Sequence, residues 1–181
     1  VYGNLKIMFP LITSVDQVKQ CLELIAQVKA ELTAEKIPFK EDIPVGIMVE
    51  TAAAAVIADC LAKVSDFFSL GTNDLTQYTI GVDRENAKVA SLYNEFHPAV
   101  LRMIYHTITE GKKAGIDVSV CGEMASRKES ALVLAGMGLR NFSMSPKLIS
   151  QTKEFFSNYT LKQLEEIAEK FNGVEKAYAI Q

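Results

Sequence analysis

Short apolar runs alternate with longer amphipathic stretches along the whole chain. A short apolar run that is closed by a turn residue or a polar cluster is typical of a buried strand. Five such strands are predicted, over residues 5–9, 45–49, 66–70, 117–121 and 141–144. Between them, apolar residues recur every three or four positions, which predicts amphipathic helices. The chain therefore repeats a strand–helix unit.

Several helix ends are marked by residues that favour helix starts and stops. Pro98 and Pro146 stand where first helical residues are expected, and Gly115 is expected to end the helix that Pro98 begins. Ser or Thr followed three residues later by Glu or Gln forms a capping box. Such boxes are predicted at residues 14–17, 126–129 and 160–163.

The remaining connections are predicted from their composition. An alanine-rich helix is predicted over residues 52–64, and residues 38–44 between two prolines are predicted to be a loop. Residues 71–74, Gly-Thr-Asn-Asp, are also predicted to be a loop, because these residues favour turns. The long connection 81–97 is predicted to hold a short helix.

Five strand–helix units in series predict an α/β fold with a parallel sheet. Five strands fit either an open doubly wound sheet or part of an eight-stranded (β/α)8 barrel. No GxGxxG sequence follows the first strand, so the dinucleotide-binding version of the open sheet lacks its main signature. A partial (β/α)8 TIM barrel is therefore the favoured prediction, with residues 1–181 in one domain.

Composition narrows the class of partner. The chain is 49% hydrophobic and 23% charged with a net charge of −3, so it offers no basic field for nucleic acid. No apolar run approaches the roughly 20 residues that span a bilayer, and no secretion signal is visible. The three cysteines are odd in number and widely spaced, which argues against a disulfide framework. We expect neither membrane nor nucleic acid as a partner, and a cytoplasmic location.

Polar residues gather at the carboxyl ends of the predicted strands. Glu50 follows the second strand, Asn73 and Asp74 follow the third, and Cys121 and Glu123 end the fourth. In a parallel β/α barrel those ends form one rim, where active sites lie. Glu50 and Asp74, on neighbouring rim positions, could share a hard cation such as Mg²⁺, which takes one or two protein carboxylates plus substrate oxygens and water.

Each of these residues also has a purely structural interpretation. Glu50 could be the first solvated residue after a strand, Asn73 and Asp74 could be turn residues, and Cys121 could be an inert small hydrophobe. Arg84 lies a few residues past the rim, where its guanidinium could reach a phosphate or form a surface salt bridge. His97 is expected to help start a helix.

Three stretches resemble the phosphoenolpyruvate (PEP)-utilising enzyme family in sequence, order and spacing. They are residues 46–51 (GIMVET), 66–79 (DFFSLGTNDLTQYT) and 121–125 (CGEMA). Within that family, residues 82–84 (VDR) and 142–145 (FSMS) are similar to enzyme I of the bacterial sugar phosphotransferase system. Pyruvate phosphate dikinase is similar mainly in the Gly-Thr-Asn-Asp stretch. The resemblance implies the last five β/α units of the barrel that binds PEP.

The resemblance also implies roles for the rim residues. Glu50 and Asp74 would be the Mg²⁺ ligands, and Arg84 would neutralise charge on the transferring phosphoryl group. Cys121 would be the acid that protonates the methylene carbon of enolpyruvate. The phosphate would be held by the 71–74 segment, through the Asn73 side chain and the backbone amides of Gly71, Thr72, Asn73 and Asp74.

As a whole, the resemblance implies part of a Mg²⁺-dependent phosphotransferase. The parent protein would pass phosphate from PEP to an enzyme histidine and on to HPr, releasing pyruvate, with HPr bound by a separate N-terminal domain. It would be a homodimer. The family uses further arginines on earlier strands, yet no arginine precedes Arg84 here, so the chain alone is expected to be inactive. Two alternatives stay open: a non-catalytic dimerisation or regulatory module, and a fragment of pyruvate phosphate dikinase or PEP synthase.

Overall fold

The computed structural model describes residues 3–172, which fold as alternating strands and helices. The strands are β1 (Ile7–Phe9), β2 (Val45–Val49), β3 (Phe67–Gly71), β4 (Asp117–Cys121) and β5 (Asn141–Phe142). The helices are α1 (Val15–Ala34), α2 (Ala52–Val56), α3 (Ala58–Leu61), α4 (Thr72–Ile80), α5 (Pro98–Ala114), α6 (Lys128–Gly136), α7 (Pro146–Phe156) and α8 (Leu161–Asn172). Two 3₁₀ turns lie at Ala90–Leu92 and Glu123–Ala125.

The five strands form one parallel sheet in the order β1-β2-β3-β4-β5. Every strand pairs with its neighbours in sequence, and the order does not reverse. An open doubly wound sheet reverses its strand order at a switch point, whereas a β/α barrel adds each strand beside the previous one. The predicted fold class, an α/β partial barrel, is therefore confirmed.

Helices cover one face of this sheet. The strand residues that point towards them, including Ile47, Phe68, Leu70 and Val120, are fully buried in the main hydrophobic core. Alternate strand residues point the other way, because side chains along a strand change face at each step. Met8 on that second face is 38% exposed, as expected for the interior side of an incompletely closed barrel.

Most predicted helix ends are confirmed. Pro98 and Pro146 are first helical residues, and Gly115 ends α5 in the left-handed conformation. His97 caps α5, since its Nδ1 accepts from the Ala99 N–H at 3.2 Å. The capping box at Thr160 is complete: its hydroxyl accepts from Gln163 N–H, and Gln163 Oε1 accepts from Thr160 N–H.

The predicted helix over residues 52–64 is wrong as a single element. It divides into α2 and α3 at Ile57, whose backbone leaves the helical conformation. Val56 and Ile57 are consecutive β-branched residues, which lose rotamer freedom in a helix and favour such a break.

Two other local predictions are corrected. Residues 71–74 are not a loop, because β3 ends at Gly71 and α4 begins at Thr72. The capping box at residues 126–129 does not form: Arg127 is the N-cap residue of α6, and the Ser126 hydroxyl donates to the Glu123 carbonyl instead. Within residues 3–172, no helix is both long and apolar enough to cross a membrane.

Candidate active site at the carboxyl ends of the strands

Glu50 directly follows β2 and is buried, with only 4% of its surface exposed. The backbone N–H of Leu11, just after β1, donates to Glu50 Oε1 at 2.7 Å. Leu11 adopts a left-handed backbone conformation with φ of 57°. A non-glycine residue in that region is uncommon and is often found at functional sites. The end of β1 therefore holds one oxygen of this carboxylate in place.

Gly71, the last residue of β3, lies directly against Glu50. A Cβ atom at position 71 would lie 2.8 Å from Glu50 Cβ and 2.9 Å from Glu50 Oε2. No real Cβ atom tolerates such contacts, so glycine is needed for the close approach of the two strand ends. The second carboxylate oxygen of Glu50 is thus packed beside the start of α4.

Asp74, in the first turn of α4, meets Glu50 there. Burial raises the pKa of Glu50, and Asp74 raises it further through charge repulsion and a side-chain hydrogen bond, against the lowering effect of the Leu11 N–H. Two carboxylates in direct contact favour a shared proton or a shared cation. Among residues 3–172, no group of three or more His, Cys, Asp or Glu side chains is placed to hold a metal. A two-carboxylate donor set suits Mg²⁺, which completes its coordination with water and substrate oxygens.

The N-terminus of α4 lies at the same rim. Its N-cap residue, Gly71, has no side chain to cap the first N–H groups. The uncapped amides and the helix dipole make such an end suited to an anion. Thr72 is fully buried, and its hydroxyl donates to the Cys121 carbonyl at 3.1 Å. The helix start is therefore fixed to the end of β4.

Asn73 reinforces this junction. Its Oδ1 accepts from the Glu123 N–H at 3.1 Å, which leaves its Nδ2 amide group directed elsewhere. Gly122 makes room for the contact: it has φ of 93°, and a Cβ there would lie 2.8 Å from Thr72 Oγ1 and 3.0 Å from Asn73 Oδ1. The side chain of Asn73 is thus held by the turn that follows β4, through its Oδ1.

Cys121 ends β4 and is half-buried. Its Sγ lies 3.4 Å from the Leu70 carbonyl oxygen and 3.6 Å from Ser69 Oγ, in geometry for a donated and an accepted hydrogen bond. The sulfur therefore has polar surroundings rather than the apolar packing expected of an inert cysteine.

Arg84 shares an open cavity of about 580 Å³ with Asn73, Tyr93, Glu123 and Arg127. Its backbone N–H donates to Gln77 Oε1 at 3.2 Å. Within the part of the chain that the structure describes, its guanidinium forms no salt bridge. The surface salt bridge that position alone allowed is thus not seen, and the group faces the same cavity as Asn73.

Sequence reasoning missed three residues around this cavity. Tyr93 donates from its hydroxyl to the Asn73 carbonyl at 3.2 Å. Burial raises the pKa of Tyr93. Glu95 is buried and Arg127 forms a 3.0 Å salt bridge with it. The signal available in the sequence was Glu95 itself, a carboxylate among residues that precede a helix. Its partner Arg127 lies 32 positions further along the chain, and this separation matches no helix, strand or motif spacing.

Comparison with known proteins gives a consistent result. The model of the family "PEP-utilising enzyme, PEP-binding domain" matches residues 1–161. A phosphoenolpyruvate-protein phosphotransferase of Borreliella burgdorferi is 41% identical over 169 residues, covering 93% of this chain and 30% of the relative. The protein of the same name from Priestia megaterium is 48% identical over 153 residues, covering 84% of this chain and 27% of the relative. The chain thus spans under a third of the length of these relatives.

A solved structure supports the fold. The crystal structure of a citrate lyase from Burkholderia xenovorans matches with a TM-score of 0.58 at 21% identity, covering 96% of this chain and 55% of that chain. At this identity the likeness concerns the fold alone. It agrees with the sequential, parallel β/α arrangement described above.

Proposed function

The chain belongs to the PEP-utilising enzyme family as its PEP-binding domain, and from this premise we propose that the full-length protein is a Mg²⁺-dependent phosphotransferase. It transfers the phosphoryl group of PEP to one of its own histidines and then to HPr, releasing pyruvate. The names of the relatives, which are 41% and 48% identical, favour this activity over that of a dikinase or synthase.

One observation supports the proposal: the groups that the proposed reaction would use stand at the ends of three consecutive parallel strands. Glu50 follows β2, Asp74 and Asn73 follow β3, and Cys121 ends β4. Asp74 interacts with Glu50, and a hydrogen bond joins Asn73 to Glu123 in the turn after β4. A dimerisation module has no need of a carboxylate pair and a hydrogen-bonded thiol at the same edge of a sheet.

Mg²⁺ is the proposed cofactor, because the two carboxylates supply hard oxygen ligands. Glu50 and Asp74 would hold it. When bound, the ion neutralises charge on phosphate oxygens of the substrate. The raised pKa of Glu50 fits a site that is destabilised without a cation, because neither burial nor the neighbouring carboxylate favours its ionised form.

The protein's own residues then perform the remaining steps. The amides of Gly71–Asp74 at the start of α4, with Asn73 Nδ2, bind the phosphate, and Arg84 neutralises charge on the phosphoryl group as it leaves. The P–O bond to enolpyruvate breaks as a P–N bond to the acceptor histidine forms. The Cys121 thiol gives its proton to the methylene carbon of the enolate, which becomes pyruvate, and the thiolate recovers a proton from solvent.

The partners and setting belong to the same proposal. HPr would dock on a part of the protein outside this chain, and a homodimer is proposed on the family resemblance. All three cysteines are unpaired, which supports a reducing, cytoplasmic location.

The test is a Cys121→Ser variant of the full-length protein, supplied with PEP, Mg²⁺ and HPr. We expect PEP-dependent pyruvate formation to fall by about a hundredfold or more, since a serine hydroxyl is a far weaker acid. Phosphate exchange between the enzyme and HPr should remain at the wild-type rate, because it needs no proton donor to carbon. The exposed Cys60→Ser is the matched control. Equal loss of both reactions would assign Cys121 a packing role instead.

A further inference from the structure

Arg127 joins two carboxylates from different parts of the chain. Its Nη1 lies 3.0 Å from Glu95 Oε2, and its Nη2 pairs with Glu123 Oε2. The Glu95 side chain is only 7% exposed, whereas those of Arg127 and Glu123 are about half exposed. We call these three residues the Arg127 network. A guanidinium binds two acceptors in a fixed plane, so the network defines a geometry as well as a charge pairing.

The network ties together the two segments that carry the reacting groups. Glu95 lies in the 81–97 connection, which also carries Arg84, whereas Glu123 lies two residues after Cys121. A second link is made nearby, where the Tyr93 hydroxyl donates to the Asn73 carbonyl. The connection has no regular structure other than the 3₁₀ turn Ala90–Leu92, so these links hold it over the rim.

The charges identify what Arg127 does. Both of its terminal amino groups are engaged by carboxylates, and the three side chains together carry one negative charge when ionised. Such a group does not attract an anionic substrate. Arg84 faces the same cavity with no salt bridge among residues 3–172, which leaves it as the cation available for phosphate.

We propose that the Arg127 network positions the 81–97 connection, and with it Arg84, relative to Cys121. Arg127 is thus a positioning residue, not a catalytic one. The catalytic consequence rests on the proposed function. Because a misplacement of about 1 Å can lower a rate about a hundredfold, releasing this connection should affect turnover more than substrate affinity.

The experiment compares Arg127→Met with wild type in the full-length protein. We expect kcat for PEP-dependent transfer to fall at least about tenfold while KM for PEP stays within about threefold. Hydrogen exchange should rise in residues 81–97 and stay at wild-type rates in β2 and β3. Arg127→Lys, which keeps the charge but not the planar fork, should recover part of kcat.

Two further variants separate positioning from folding. Arg127→Met leaves the Glu95 carboxylate buried without its partner, so we pair it with Glu95→Gln to remove that charge. The double variant should unfold at the wild-type temperature yet keep the low kcat. Lys88→Met removes a cation from the same connection outside the network and should leave kcat unchanged.

The outcomes distinguish this inference from the proposed function. An active wild type whose Arg127→Met variant keeps full kcat would overturn the positioning role. So would a uniform rise in hydrogen exchange with equal loss of kcat and substrate affinity. If the wild type transfers no phosphate at all, the proposed function fails, and the exchange measurement still decides whether Arg127 holds the connection.

Discussion

Glu50 is placed by backbone features rather than by other side chains. The Leu11 N–H holds one carboxylate oxygen, and the missing side chain of Gly71 gives room for the other. Burial and the neighbouring Asp74 raise the pKa of Glu50, so the ionised pair is unfavourable unless a cation is present. When it is ionised, this residue therefore costs stability in the metal-free protein.

A pH dependence follows for the metal-free protein. Since the folded pKa of Glu50 is raised, the folded state binds an extra proton between the unfolded value, near 4.5, and the folded value. Over that window stability falls as pH rises. With a chelator at neutral pH, we expect Glu50→Gln to raise the unfolding temperature by about 2–4 °C, equivalent to roughly 1 kcal/mol. Glutamine can still accept from the Leu11 N–H, so that bond is kept.

Thermal unfolding monitored by circular dichroism measures the effect. The gain in unfolding temperature should shrink as pH is lowered towards 4.5, because the wild-type carboxyl then becomes neutral, like the glutamine amide. The exposed Glu41→Gln serves as the control and should give no such trend. An unfolding temperature that is unchanged at neutral pH would show that the ionised Glu50 carboxylate does not destabilise the fold. The ligand role is tested separately with Mn²⁺ in place of Mg²⁺, and we expect the Glu50→Gln variant to lose affinity for it.

Some of the site residues were predictable and others were not. Glu50, Asp74 and Cys121 follow apolar runs, and neighbouring parallel strands bring such positions to one rim, so their proximity follows from pattern and fold class. Glu95 and Arg127 meet through an irregular connection whose path has no periodicity. No pattern in the sequence specifies that path, so their pairing appears only in the structure.

At the scale of elements, the junction between β3 and α4 is the main departure from expectation. The residues Gly71–Asp74 favour turns, which led to the prediction of a loop. The same residue types are favoured at helix starts, where Asp and Asn interact with the free N–H groups and the dipole. Propensity alone does not separate the two, and here the helix begins without an intervening loop.

The close approach of the β2 and β3 ends gives a test at this scale. Gly71→Ala would place a methyl group 2.9 Å from Glu50 Oε2, so the carboxylate must move. We expect a loss of about 1–3 kcal/mol in stability and at least about a tenfold loss of Mn²⁺ affinity. On the full-length protein, thermal unfolding measures the stability and electron paramagnetic resonance measures the Mn²⁺ affinity.

The control is Gly115→Ala. Gly115 has φ of 74° with open space around it, so alanine there costs roughly 1–2 kcal/mol of backbone strain far from the rim. It should destabilise the protein to a similar degree with Mn²⁺ affinity unchanged. If both variants bind the ion as wild type does, the close approach has no part in the metal site.

For the whole molecule, strand order was predictable because sequential β/α units build a parallel sheet in few ways. In the described structure β1 and β5 each pair on one edge only, and the rim has five strand ends. No arginine precedes Arg84 in the sequence. The ends of β1 and β2 therefore contribute no arginine to the rim.

We accordingly expect the chain of residues 1–181, expressed alone with PEP, Mg²⁺ and HPr, to yield no phospho-HPr. The full-length protein under the same conditions should yield it readily. Gel separation of phosphorylated HPr is a direct readout, and circular dichroism of the isolated chain establishes that it is folded. Phospho-HPr made by the isolated chain would mean that the site is complete within these residues.

The sequential strand order also determines how well the sheet tolerates insertions in the connections between its strands. When two neighbouring strands pair, they close only the stretch of chain that lies between them. The 81–97 connection lies between β3 and β4, so its length affects only that pairing. Because closure entropy grows slowly, doubling such a stretch costs only about 0.6 kcal/mol. Insertions between residues 85 and 92 should thus leave the sheet intact, even where they alter the position of Arg84 relative to the rim.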